Sequence, residues 1–299
     1  MIIKLDSPRD KDTHTLADFI ELLCLIMPDG FCSSDLVEDH INDNSGKKIE
    51  NDLINDSFLQ FQWRIKAFDK YYPFKLIEKN KVLNCSRDFS ESQKLYILLL
   101  LCANLPFLKK PYQDLTDAFE RASALALKRI WPKPDYVDNF GKNITKFTGF
   151  KWEKLNQLSR KIGGKANLTE NHFRPTDTGD GGIDLVAWLS LDSHEGFNIP
   201  SALAQCACSR SDWPKKQMEI AYDRLHNNLN PTSRWMELIF IPHSFRDNHG
   251  KWYTPGEIAS TIVMDRLRIL NCLSQENDLE VISSPDILKN FLNYKLDLV

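Results

Sequence analysis

The spacing of apolar residues changes character once along this chain, and that change constrains the fold more than any other feature. In the first third, Leu16, Phe19, Ile20, Leu23 and Cys24 recur at helical spacing within 13–26, and further helix-like segments follow over 53–68 and 90–103. Beyond the Gly163-Gly164 pair the apolar runs are short and bounded by glycine and proline: "LVAWL" (185–189), "ALAQCAC" (202–208) and "WMELIFIP" (235–242). The helical stretch "WPKKQMEIAYDRLHNNL" separates the last two, and "PGEIASTIVMDRLRILNCL" predicts a further helix. The first part therefore reads as all-helical. The second reads helix, strand, strand, helix, strand, helix, which is an α/β layer sandwich.

The 299 residues, 42% apolar and 26% charged, are enough for one large domain or two small ones. The helix predicted for "DLTDAFERASALALKRIWP" opens on cap-type acids and stops at Trp131-Pro132. A boundary is expected just ahead of it, giving a helical N-terminal domain over 1–110 and an α/β domain over 111–299. "KWEKLNQLSRKIGG" predicts an amphipathic helix with Trp152, Leu155, Leu158 and Ile162 on one side. The Asn/Asp-rich stretch 39–56 predicts an exposed connection.

A formal net charge of −3 means that any nucleic acid must be met by a local basic surface rather than by the whole molecule. Seven cysteines without a CxxC pair fit reduced thiols in a cytoplasmic protein. Cys206 and Cys208 could share one strand face as metal ligands, but core packing is the preferred reading. "LYILLLLCANLPFL", from Leu95, is broken by Asn104 and Pro106 and falls short of the roughly 20 residues a bilayer span needs, so a buried helix is expected and no membrane partner. The N-terminus lacks an apolar signal core. His172, His194 and His243 stand outside any HxH or HExxH spacing, and no Walker loop or GxGxxG fingerprint is present.

The chemistry-bearing stretch is "TGDGGIDLVAW" (178–188). An acid such as Asp184 at the start of an apolar strand needs a partner, and so does the amide of Gln205 within "ALAQCAC". The order of Glu153 on a helix, then "GDGGIDLVAW", then "ALAQCACSRSDWPKK" resembles the catalytic core of the PD-(D/E)xK nucleases, particularly the Mrr-like branch of restriction endonucleases. The resemblance covers about residues 150–268. It implies that Asp184 and Gln205 bind a divalent ion and that Glu153 is the helical glutamate. Some family members carry this glutamate in a Phe-Glu pair on a helix that ends in glycine; Glu120 in "DAFERA" has such a pair, but lies further from the glycine turn. Where the family's Gln-x-Lys pattern expects lysine, this chain has Ala207. The stretch "QCACSRSDWPKK" is similar to a variant from bacterial defence loci in which the basic group sits on the next helix, and there Lys216 is the match. Lys215 is turned away by about 100°.

What the resemblance implies is a helical N-terminal region followed by a restriction-endonuclease-like α/β sandwich with a central mixed sheet. The activity implied is that of a Mg2+- or Mn2+-dependent DNA endonuclease, an effector of anti-phage defence, with catalytic residues Glu153, Asp184, Gln205 and Lys216. Asp184, Gln205 and Glu153 would be its metal ligands, and a second defence-system subunit its protein partner. Such an ion prefers hard oxygen ligands and activates water for attack on phosphorus. Gly181 and Gly182 would let the DNA backbone come close to Asp184. Arg160, Lys161, Lys165, Arg174 and Arg210 would surround the cleft and neutralise phosphates. Arg266 and Arg268 resemble a DR-x-R element of the same group and are expected as solvated charges or partners of Asp265. The alternative, raised by Ala207, is a catalytically inactive nuclease-fold subunit that binds DNA or a partner protein.

Overall fold

The computed structural model describes residues 12–45, 49–109, 112–141, 145–174, 176–194, 196–273, 275 and 277–295. The chain divides into two compact units, one of Met1–Phe119, Pro242–Pro255 and Asp265–Val299, the other of Glu120–Ile241 and Gly256–Met264. The expected break at 110–111 falls outside the described residues. The division runs instead through a helix, and the chain's last segments return to the first unit rather than completing the second.

In the first unit, helix α1 (Thr13–Ile26) starts where the Asp12 carboxylate accepts from the Thr15 N–H at 2.7 Å. It is followed by β1 (Phe31–Ser33), α2 (Ser34–Ser45), α3 (Asn51–Phe68), β2 (Phe74–Ile77), β3 (Val82–Cys85) and α4 (Glu91–Ala103), which opens on a Ser90–Gln93 capping box. Helix α5 (Gln113–Ile130) crosses into the second unit. Two expectations change here. The first part is not all-helical, because β1, β3 and β2 form an antiparallel sheet in that order. The polar stretch 39–56 is largely helical, since α2 buries Val37 and Ile41 and α3 begins at Asn51.

The second unit is built on a five-stranded mixed sheet of β4 (Val137–Asn139), β5 (Leu185–Trp188), β6 (Ser201–Cys206), β7 (Met236–Phe240) and β8 (Ile262–Met264), in that order. β4, β5 and β6 pair antiparallel, while β6, β7 and β8 run parallel. Helix α6 (Lys151–Lys161) precedes β5, and α7 (Trp213–Lys216) and α8 (Tyr222–Leu229) make the crossover from β6 to β7. Val186 and Leu203 are register partners and enter one core with Leu155, Leu158, Leu225 and Leu229, so α6 and α8 cover that face. The helix expected over 255–273 is split. Its middle is the strand β8, and only its end forms α9 (Arg266–Cys272), in the first unit.

Helices α10 (Asp278–Ile282) and α11 (Pro285–Leu292) complete the first unit. Arg266 is neither solvated nor paired with Asp265. It is fully buried, bonds Asp18 at 2.8 Å, Tyr96 Oη at 3.0 Å and the Pro242 carbonyl at 2.8 Å, and shares Asp18 with the equally buried Arg64. Glu21 completes a balanced cluster of two carboxylates and two guanidiniums, accepting from Tyr72 and Tyr96 and lying 2.8 Å from Arg64. Asp265 pairs with Arg246 instead, and Arg268 lies over Trp252. All seven cysteines are thiols rather than disulfides. No helix among the described residues is long and apolar enough to cross a membrane.

Candidate functional site

The site is set by the pairing of β5 with β6. Leu185 lies opposite Ala204, and the Asp184 N–H donates to the Ala204 carbonyl at 3.0 Å, so the ladder carries on one step and places Asp184 beside Gln205. Both follow the alternation of Val186 and Leu203, which puts their side chains toward the α6/α8 face. The Cys206 N–H then does two things. It donates to Asp184 Oδ2 at 2.7 Å and also lies 3.2 Å from Gln205 Oε1, so a carboxylate oxygen and an amide oxygen meet at one donor.

Burial pushes the Asp184 carboxyl up to about 6. The Cys206 N–H works against that rise and the neighbouring Asp180 adds to it. Lys216 draws it back, and Glu219 adds to it again. Lys216 also acts on the Cys208 thiol, which burial raises to about 12. The charge of Lys216, on α7, thus acts on both groups at the strand end. Lys215, its neighbour, is exposed.

Ala207, two residues beyond Gln205, is fully buried, and its N–H donates to the Phe240 carbonyl at 2.9 Å. A longer side chain at that position would have to displace the packing around it.

Glu153 stands elsewhere. Its carboxylate turns back to accept from the Phe150 N–H at 2.8 Å, closing the first turn of α6. Glu120, on α5, is the glutamate brought to the strand end. The Cβ position of Gly141 lies 3.4 Å from Glu120 Oε1 and 3.5 Å from Asp184 Oδ1, and both acids help to hold the buried Cys206 thiol well above its ordinary range.

Two further acids complete the cluster. Asp180 Oδ1 accepts from the Gly182 N–H at 2.8 Å and so shapes the glycine turn. Glu219 Oε2 accepts from Gln205 Nε2 at 2.8 Å. Gly181 and Gly182 have φ of +73° and +84°, and a Cβ on Gly182 would lie 2.7 Å from Glu219 Oε2. The space beside Gly182 is thus filled by Glu219. Sequence reasoning assigned no role to Asp180 and did not reach Glu219. The one signal for Glu219 was its place three residues after Lys216, on the same side of a helical turn.

The expected ring of cations is only partly assembled. Lys161 lies over Trp188 and Lys165 over Phe197, toward the end of β5 remote from Asp184, about 13 Å along the strand. Arg160 lines the same hollow as Lys161 and Trp188. Nearer the glycine turn, Lys151 pairs with Asp177 at 3.2 Å, Lys154 donates to the Thr178 carbonyl at 2.9 Å, and Arg224 donates to the Gly181 carbonyl at 2.9 Å.

No group of three or more His, Cys, Asp or Glu among the described residues is arranged to hold a metal ion by itself. The donors at the strand end nonetheless suit a hard, partly hydrated cation. They are oxygens, mixed between carboxylate and amide, and a divalent ion would offset the cost of ionising Asp184, which burial raises first and the charges of Asp180 and Glu219 raise further. Cys206 and Cys208 are partly exposed rather than core residues, and with both thiols held high by desolvation they do not form a thiolate pair for a softer metal. No protein-family model, curated protein or solved structure matches the chain.

Proposed function

We propose that the second unit hydrolyses phosphodiester bonds of DNA with Mg2+ or Mn2+ held at Asp184 and Gln205. The observation that carries this reading is the shared Cys206 N–H, which sets a carboxylate oxygen and an amide oxygen side by side within reach of the Lys216 charge. When bound, a divalent ion polarises a phosphate oxygen and lowers the pKa of its water. Asp184 supplies an anionic ligand and Gln205 a neutral one, a small protein share that leaves positions for water and phosphate. Glu120 takes the orienting part that the resemblance implied for Glu153, because its carboxylate and that of Asp184 both border Gly141. Lys216 lays its positive charge against phosphate oxygens, where preorganised charge counts most. The restriction-endonuclease-like arrangement, a cytoplasmic setting, a second subunit and a part in anti-phage defence rest on the resemblance of "QCACSRSDWPKK" and its glycine turn.

Supercoiled plasmid incubated with the full chain and Mg2+ or Mn2+ tests this. The expected result is nicking or linearisation that falls by about 100-fold or more in Asp184→Ala and in Lys216→Ala, as for loss of one preorganised charge, while Lys215→Ala leaves it unchanged. The closed position of Ala207 favours one rival, a nuclease-fold subunit without turnover. Plasmid retarded on a gel, yet intact with both ions, would establish that rival in place of the nuclease.

A further inference from the structure

Gln205 is 4% exposed, and its amide has two unlike ends. Only the oxygen can ligate a cation. The nitrogen, turned the other way, would donate to Asp184 and present N–H groups to the place where a cation belongs. Something must choose between the two orientations, and burial does not, because an amide fills the same volume either way round.

Two groups share the choice: the Cys206 N–H, 3.2 Å from Oε1, suits only the oxygen end, and the other end is held by Glu219. Its Oε2 takes the Gln205 Nε2 at 2.8 Å, which leaves Oε1 on the side of the Cys206 N–H and of Asp184. A carboxylate accepts and does not donate, so it tolerates the nitrogen end and rejects the oxygen. Glu219 is itself held. The Arg224 guanidinium bonds both the Glu219 carbonyl and the Gly181 carbonyl, and the bare Cα of Gly182 makes room for the Glu219 side chain, whose Cβ would lie 2.8 Å from a Cβ added there.

We propose that Glu219 is a positioning residue, which fixes the amide of Gln205 with its oxygen toward the divalent cation without being a ligand itself. This rests on the metal-dependent reading of the site. The Gly181-Gly182 turn then acquires a second purpose, admitting the group that orients the amide.

Mn2+ binding to the full chain, followed by titration calorimetry without DNA, tests it. Glu219→Ala is expected to weaken Mn2+ by about 10- to 100-fold, the usual cost of losing a partner that orients a ligand. Glu219→Gln, whose own amide can turn its oxygen to Gln205, is expected to stay within about threefold of the wild type, since it exchanges a charge-assisted bond for a neutral one. In a Gln205→Glu background, where either oxygen can ligate, Glu219→Ala is expected to cost nothing. A loss that is the same in both backgrounds, or a Glu219→Gln variant as weak as the alanine one, would make Glu219 a direct ligand and overturn the inference. So would unchanged affinity in Glu219→Ala. A wild-type chain that binds no Mn2+ removes the metal-dependent reading and this inference together, whereas wild-type binding that ignores Glu219 removes the inference alone. Should Glu219→Ala fail to fold, the Glu219→Gln comparison still decides.

Discussion

Replacing Asp184 by asparagine should make the protein more stable at neutral pH, and only there. Burial and the charges of Asp180 and Glu219 raise this carboxyl from 3.8 to about 6, against the pull of the Cys206 N–H and Lys216. Between those two values the folded chain binds a proton that the unfolded chain has released, so stability falls as the pH rises through the window. At about 1.4 kcal/mol for each pH unit, the ionised carboxylate costs about 3 kcal/mol above pH 6, and about 1–3 kcal/mol once the incomplete enclosure of the group is allowed for. Asparagine keeps an oxygen to accept from Cys206 and carries no charge to desolvate. Calorimetric melting without divalent ions should therefore show Asp184→Asn ahead of the wild type by about 1–3 kcal/mol at about pH 7.5, a large share of a typical unfolding free energy. The lead should shrink to nothing near pH 4, where both side chains are neutral. Added Mn2+ should close the gap from the other side by stabilising the wild type alone. An asparagine variant that melts lower at neutral pH, or a lead that ignores pH, would refute the argument that this carboxylate is held at a cost.

Gly182→Ala should lower stability by about 1–3 kcal/mol in thermal melts, because its φ of +84° is strained for alanine and the new Cβ meets Glu219. Arg266→Met should cost about 3–5 kcal/mol in chemical denaturation by leaving Asp18 and Glu21 short of a cation, whereas Arg268→Met, at an exposed position over Trp252, should cost less than about 1 kcal/mol. Ala207→Lys, which writes in the lysine that the resemblance implies, should destabilise by on the order of 3 kcal/mol and bring no gain in plasmid cleavage, since the position is fully buried and a long charged side chain would have to be forced into it.

How much of this was legible in the sequence depended on how local the cause was. Helix α1 was visible because Leu16, Phe19, Ile20, Leu23 and Cys24 repeat at its own period, and the short runs of β5, β6 and β7 were visible because glycine and proline bound them. The sheet of β1, β2 and β3 was hidden, because strands of three or four residues are too short to display alternation and Cys32 finds its partner only at Leu83. Strand β8 was hidden in an apolar stretch that also suits a helix, and its parallel pairing with β7 decided the matter. The return of the C-terminal segment to the first unit hangs partly on Arg266 meeting Asp18, a pair separated by 248 positions. At the site, Asp184 and Gln205 could be placed together from strand order. The place of Glu153 could not, because only the backbone path shows that its carboxylate is used at its own helix start.

The position of the lysine follows from the same packing. A cation on β6 would have to leave from Ala207, where the layer is closed, so the charge has to come from an element laid over the strand end. A lysine on a loose turn would sample many positions, and a site of this kind needs its charge held. The turn that carries Lys216 is pinned from below. Trp213 is 2% exposed and Gln217 is 1% exposed, and the Gln217 amide donates to the Glu257 carbonyl at 2.8 Å and accepts from the Ala259 N–H at 3.0 Å. Residues 213 and 217 lie four apart and form the anchored face. Lys216 and Glu219, three apart, are carried by the same pinned turn to the end of β6, one placing its charge against Asp184 and the other its oxygen against Gln205. A single short element thus carries both the Lys216 charge and the acceptor that bonds the strand's amide, so the two are placed by one piece of packing.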